Sequence, residues 1–284
     1  MKSPFDLDKM YIDFIDKKND ENYQERYVGN EGWYKASSAG FCSRKMYYET
    51  IMKLKPVDQP NNSSKMKMRL GTIFHDEIQG ALKSLNSSEL YIYNKSIDNV
   101  YIDNVSIDNV SINNKEKTIT DSKKEMKVHV EGNIQIDDLN VRGHYDIVFE
   151  GSKVYLYDLK TIGSYPWRLK FGRDKKPDNS RAYPLQLGTY AIGIEEMFGR
   201  IDGMYLYYYN KDTSVTKTIE VPMIEKSKAY MYWDKINEEH AKGLPQLELG
   251  QSPEQQWACG YCPFKSVCKP DAYIQEQKKK GVWF

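Results

Sequence analysis

The chain of 284 residues has no run of 18 apolar residues, no surplus of charge, and only four cysteines. The first absence excludes a helix that crosses a bilayer. The formal net charge of +1 excludes nucleic-acid binding by global attraction, so a nucleic-acid partner would need a local basic patch. The opening stretch MKSPFDLDKMYIDFIDKKND also lacks the apolar heart of a secretion signal, because acidic residues interrupt every apolar run. A cytoplasmic protein with no membrane partner is expected. The sequons at Asn61, Asn62, Asn86 and Asn94 then carry no meaning.

Cysteine is unevenly placed as well as scarce. Cys42 stands alone, while Cys259, Cys262 and Cys268 fall within CGYCPFKSVCKP. In a reducing compartment that grouping points to metal or cluster ligation more than to disulfides. Four thiolates suit an iron–sulfur cluster. They suit a structural zinc site equally well.

Residues 6 to 17, DLDKMYIDFIDK, carry apolar positions at helical spacing, and SRKMYYETIMKLK after Cys42 predicts a second helix. VDQPNNSSKMKMR is rich in turn formers and charge and reads as a loop. GTIFHDEIQGALKSL then puts Ile73, Phe74, Ile78, Ala81 and Leu82 on one helical stripe, with His75 at its edge. SIDNV, YIDNV and SIDNV repeat with a period of five between 96 and 110, far short of a solenoid unit of ~20 residues, and read as an insertion in a peripheral hairpin or loop. From residue 126 the pattern turns to strands: MKVHVEGNIQI, LNVRGHYDIVFE and SKVYLYDLKT, the last two joined through EGS as a hairpin. YPLQLGTYAIGIEEMFG predicts a helix, MYLYYYNK and TKTIEVPM two strands about a turn at KDTS, and KSKAYMYWDKINEEHAKG a helix that exits at Gly243 and Pro245. An α/β or α+β sheet with helices on its faces follows.

The chemistry gathers at YLYDLKT. Residues two apart in a strand share a face, so Asp158 and Lys160 project together at the end of an otherwise apolar strand. By itself such a pair is a surface ion pair worth ~0.5 kcal/mol. The hairpin, however, brings Asp146 of the preceding strand toward the same end. Two carboxylates this close repel unless a cation lies between them, which makes Mg²⁺ or Mn²⁺ the expected occupant. Such an ion polarises a phosphoryl oxygen and acidifies water, and Lys160 counters charge developing at phosphorus. His144 shares the face of Asp146, and His75 offers a nitrogen ligand from its helix. Gln186 and Tyr190 lie four apart on one helical face, with an amide and a phenol suited to phosphate contact.

A local basic patch is also present. Arg168, Lys170, Arg173, Lys175, Lys176 and Arg181 follow Lys160 against only Asp174 and Asp178, with Tyr165, Trp167, Phe171 and Tyr183 interleaved. Cations for phosphates and rings for bases suit a single strand.

In this order GTIFHDEIQ, GHYDIVF, YLYDLKT and LQLGTY, with SSAGFCSRKMYY near the start and CGYCPFKSVC near the end, resemble the RecB-like branch of the PD-(D/E)XK nuclease superfamily. Within it the likeness is to CRISPR-associated exonucleases and to phage and recombination nucleases, over roughly residues 35 to 270. The resemblance implies an α/β fold: a restriction-endonuclease-like core sheet flanked by helices, its N- and C-terminal regions joined by a four-cysteine cluster. It divides the chain into an N-terminal helical region (1–70), a nuclease core (71–245) with a low-complexity insertion near 96–114, and a C-terminal cysteine region with a basic tail (246–284). It assigns His75, Asp146, Asp158 and the carbonyl of Leu159 as ligands of Mn²⁺ or Mg²⁺. Lys160, Asp158 and Asp146 become catalytic, with Gln186 and Tyr190 as the Q-x-x-x-Y motif. Asp158 stands where many relatives have glutamate. Cys42, Cys259, Cys262 and Cys268 would hold a 4Fe-4S cluster, with zinc the alternative. The implied activity is exonucleolytic hydrolysis of DNA, single-stranded or frayed, with recombination, helicase or CRISPR adaptation proteins as partners. The alternatives are a non-catalytic assembly factor on this fold and a zinc-stapled interaction domain.

Overall fold

The computed structural model describes residues 6–27, 32–86, 89–90, 126–172, 182–247, 259, 261–269, 275 and 279. The SIDNV repeats and the whole expected insertion at 96–114 lie outside the described residues, as do Arg173, Lys175, Lys176 and Arg181.

Among the described residues six strands form one sheet: β1 (Tyr34–Lys35), β2 (Lys127–Ile136), β3 (Val141–Glu150), β4 (Val154–Ile162), β5 (Gly203–Asn210) and β6 (Thr216–Val221). The hairpin read from EGS is β3–β4, paired antiparallel from Ile147↔Tyr157 to Glu150↔Val154. Strand β5 lies parallel to β4 along its whole length, because helical chain separates the two and returns the backbone in the same direction. Strand β6 closes the far edge antiparallel to β5.

The helices are α1 (Leu7–Tyr27), α2 (Ser43–Thr50), α3 (Asn62–Lys83), α4 (Ser164–Phe171), α5 (Ala182–Phe198), α6 (Ile224–Ala241) and the single turn α7 (Lys265–Cys268). Two of them exceed what periodicity predicts. Helix α1 runs ten residues past the expected Lys17. Helix α3 begins inside the expected loop: the Asn61 side chain accepts from Ser64 N at 2.9 Å and caps it. The charges of SKMKMR lie on a largely exposed helix, where they leave no apolar stripe to read.

The two faces of the sheet are unequal. Helix α5 buries ten of its residues between one face of the sheet, where Val148, Leu156, Leu206 and Tyr208 form the core, and α6 behind it. Behind it α6 inserts Trp233, whose indole N–H donates to Thr189 Oγ1 at 2.8 Å. The helices approach closely at Gly188, where a Cβ would stand 2.3 Å from the Glu225 carbonyl oxygen. On the other face α3 buries a single residue, Gln79, and leaves an apolar groove of about 520 Å³ between Ile78, Leu82 and the sheet residues Ile147, Tyr157, Leu159 and Tyr205.

The N- and C-terminal regions do meet, though without the expected cysteine cluster. The Pro263 carbonyl accepts from Val57 N and Asp58 N at 2.9 Å each, Asp58 accepts from Ser266 N and Oγ at 2.9 Å, and buried Phe264 packs on Tyr48. Hydrogen bonds and one aromatic anchor thus do the joining that four thiolates were expected to do. Among the described residues no helix is long and apolar enough to cross a membrane.

Candidate active site

The site begins with an irregularity in β3. Strand β2 occupies one edge of β3 from end to end, so β4 and β1 must share the other. Strand β4 pairs only from Ile147 onward, β1 only at Val141 and Arg142, and the sheet is split along residues 143 to 146. Side-chain alternation slips at the same place: Val141, Tyr145 and Val148 join the α5-side core, while Ile147 lines the α3-side groove. Gly143 admits the neighbours that crowd the split, since a Cβ there would lie 2.6 Å from Ala36 Cβ and 3.0 Å from the Tyr190 ring. Groups from both faces therefore reach one cleft, of about 450 Å³. It is lined by Trp33, Lys35, His75, Glu131, Arg142, Asp146 and Tyr190 among others.

Asp146 sits in the split. Its Oδ2 accepts the Leu159 backbone N–H at 2.6 Å, and its Oδ1 lies 3.4 Å from His75 Nδ1. Burial pulls the His75 pKa down, but the hydrogen bond and charge of Asp146 outweigh it and hold the imidazole above its ordinary value. On the α5 side Asp158 is 2 % exposed, with Oδ2 at 2.5 Å from Lys160 Nζ. Burial raises its carboxyl to about 6 against the lowering pull of the Lys160 charge. Burial likewise opposes the charged Lys160, yet Asp158 and Asp146 together keep its pKa raised. Gln186 ties the group together: Oε1 accepts from Lys160 Nζ at 3.1 Å, while Nε2 donates to Tyr190 Oη at 3.1 Å and, weakly, to Asp158 Oδ1 at 3.4 Å. Burial pushes the Tyr190 phenol strongly up, so it remains a neutral donor and acceptor. The strand spacing of Asp158 and Lys160 and the helix spacing of Gln186 and Tyr190 are thus both realised, and His75 and Asp146 join them.

The basic stretch is realised differently. Trp167 packs against Phe171 at 4.8 Å between ring centroids and beside the core, and Lys170 Nζ stands 5.0 Å from the centroid of Tyr208. Only Arg168 of the described cations in α4 is exposed. Sequence reasoning missed a cationic wall inside the cleft. Tyr34 turns into the core against Trp233, so by strand alternation its neighbours Trp33 and Lys35 turn to the opposite side, where both line the cleft. Arg142, paired with Lys35, lies 4.1 Å over the Trp33 ring. It also missed Glu131, for which a signal existed: the turn-like EGN in the middle of a strand pattern marks a local break.

The expected metal centres are overturned. Among the described residues no group of three or more His, Cys, Asp or Glu is arranged to hold an ion. At His75, Asp146, Asp158 and Leu159 the reason is closure: Asp146 is taken up by the Leu159 N–H and His75, and Asp158 by Lys160. The residues present do not fit Mn²⁺ or Mg²⁺. Cys42, Cys259, Cys262 and Cys268 form no such group either, so neither the 4Fe-4S cluster nor zinc stands. Burial pushes the Cys262 thiol up, which disfavours the thiolate that a metal requires.

Residues 35–269 match the family model of the PD-(D/E)XK nuclease superfamily, and the chain belongs to that superfamily. An α/β core sheet flanked by helices is what the membership describes, and it makes the protein a nuclease-type hydrolase that handles nucleic acid. Among solved structures, SSO0001 shares the fold at 17 % identity, covering 91 % of this chain and 96 % of that one with a TM-score of 0.52. The alkaline exonuclease LHK-Exo from Laribacter hongkongensis aligns at 11 % identity over 76 % of this chain and 91 % of its own, with a TM-score of 0.42. No curated protein matches the sequence.

Proposed function

We propose that the protein is a DNA exonuclease of the RecB-like branch, hydrolysing phosphodiester bonds at single-stranded or frayed ends. The observation that carries this reading is that His75, Asp146 and Tyr190 line one cleft at the split of the sheet, with Lys160 and Asp158 joined to Tyr190 through Gln186. Water attacks phosphorus and the bond to a sugar oxygen breaks. The Lys160 ammonium, held by Asp158 and Gln186, faces the negative charge that develops on the phosphoryl oxygens. His75, paired with Asp146, serves the sugar oxygen as it leaves. Arg142 and Lys35 neutralise backbone phosphates in the cleft, with Arg168 outside it. The branch is supported by the order of the sequence motifs, and exonucleolytic action by the same likeness.

The test is digestion of end-labelled single strands and of circular single strands by wild type, Asp158→Asn and Lys160→Ala, with and without chelator. Linear strands are shortened by wild type alone and circles survive. Equal digestion by wild type and Asp158→Asn sinks the assignment, and nicking of circles sinks the exonuclease. The closed Asp158–Lys160 pair favours a second reading, a non-catalytic nucleic-acid-binding factor on the same fold. Its signature is tight binding of the same strands with no cleavage under any condition.

A further inference from the structure

Glu131 is a carboxylate lining the cleft to which neither the motifs nor the family assignment gives a role. It lies in β2 opposite Asp146: the pairs Val130↔Ile147 and Gly132↔Tyr145 flank it, and the ladder skips the position between them. Its side chain lines the same cleft as Asp146 and His75. Its backbone is left-handed, with φ +53°. A residue with a Cβ is strained there, and glycine, which follows at 132, would not be. The fold keeps a glutamate at a position that glycine would occupy more cheaply.

A second observation comes from the other side of the cleft. Gln79 is the only buried residue of α3, and its Nε2 donates to Glu131 Oε1 at 2.9 Å. It lies one turn beyond His75 on the same helical face. The helix thus commits its single buried side chain to aiming this carboxylate, and one carboxylate oxygen remains for the cleft.

We propose that Glu131 is a further catalytic residue of this site, the base that takes the proton of the attacking water. The inference rests on the nuclease reading. As the water oxygen bonds to phosphorus its proton passes to the Glu131 carboxylate. The bond from phosphorus to the leaving sugar oxygen breaks, that oxygen takes a proton from His75, and Glu131 returns its proton to solvent, from which His75 is reprotonated.

Two variants separate this role from a structural one. Glu131→Gln keeps an oxygen that accepts from Gln79 but cannot hold the water's proton. Glu131→Gly removes the side chain and relieves the left-handed backbone. Single-turnover cleavage of a labelled strand is measured with strand affinity and thermal unfolding. Both variants are expected to lose at least about 100-fold in rate, the scale of a general base, with Kd unchanged for Glu131→Gln and Tm unchanged or raised for Glu131→Gly. A stabilised but inactive Glu131→Gly is a result that a purely structural role does not give. If wild type cleaves and either variant keeps its rate, the inference falls while the nuclease reading stands. If wild type binds but never cleaves, the nuclease reading falls and takes the inference with it.

Discussion

The two faces of the sheet supply the site with groups of different character. On the α5 side Asp158, Lys160, Gln186 and Tyr190 are joined by hydrogen bonds within a close-packed core, with Trp233 of α6 wedged behind. On the α3 side His75 and Gln79 come from a helix that buries one residue and stands over an apolar groove. Small shifts are resisted where packing is dense and tolerated where it is not. The lysine and its acid are therefore fixed, and the histidine rides on the element that can move.

This contrast predicts its own tests. Trp233→Ala should cost about 3–5 kcal/mol in urea unfolding, as a large buried ring is lost from the core. A loss under ~1 kcal/mol would mean that the α5 side is no more rigid than the other. Lys160→Ala should lower cleavage about 10²–10³-fold, by analogy with removing one charge-stabilising donor, while strand affinity is kept. Ile78→Ala on α3 should cost at most about 1 kcal/mol, because the side chain already borders an open groove. An effect as large as that of Trp233→Ala would erase the asymmetry.

A pH prediction follows from His240. His240 is buried between Tyr34 Oη at 2.8 Å and Ser43 Oγ at 3.0 Å. Burial lowers its pKa, against smaller raising effects of Glu239 and the Ser43 carbonyl. The unfolded chain then binds a proton first as pH falls, near an ordinary value of about 6.5. Stability is full above that pH and is lost as pH falls through the lower folded value. Asp158 and His75, whose pKa values are raised, gain stability over the same range, so the His240 effect is read as a difference: between pH 7.5 and 5.5 the wild-type Tm should fall relative to that of His240→Gln. The smallest effect belongs to the cleft wall: Arg142→Gln should lower the salt slope of strand binding by about 0.7, one phosphate's worth on a single strand. Nitrocellulose or anisotropy titrations across salt concentrations read it directly.

How far the site was legible depends on whether its parts are local. Asp158 with Lys160, and Gln186 with Tyr190, are set by the two-residue and four-residue repeats of strand and helix, and the structure realises both. The β3–β4 hairpin followed from its turn. Helix α3 began earlier than expected because its cap, Asn61, lay hidden in a polar run. Trp167 looked like a stacking platform and lies against the core, since an aromatic residue in a basic stretch reads the same whether its ring meets a base or Phe171. The metal centres failed for a related reason: ligand-type residues were correctly counted, but their partners were not visible. Spacing cannot reveal that Asp146 is met by the Leu159 N–H or that burial keeps Cys262 protonated.

What the sequence determined by itself is the longer strands and helices, though not the short β1 and α4, and the faces on which their side chains project, because both arise from backbone geometry repeating every two or nearly four residues. Only the tertiary structure decided that β1 and β4 part along one edge of β3, that Glu131 and Asp146 line one cleft there, and that Asp146 is taken up by the Leu159 N–H and His75. Those outcomes depend on which distant groups arrive at the same few cubic ångströms, and a linear pattern does not encode that.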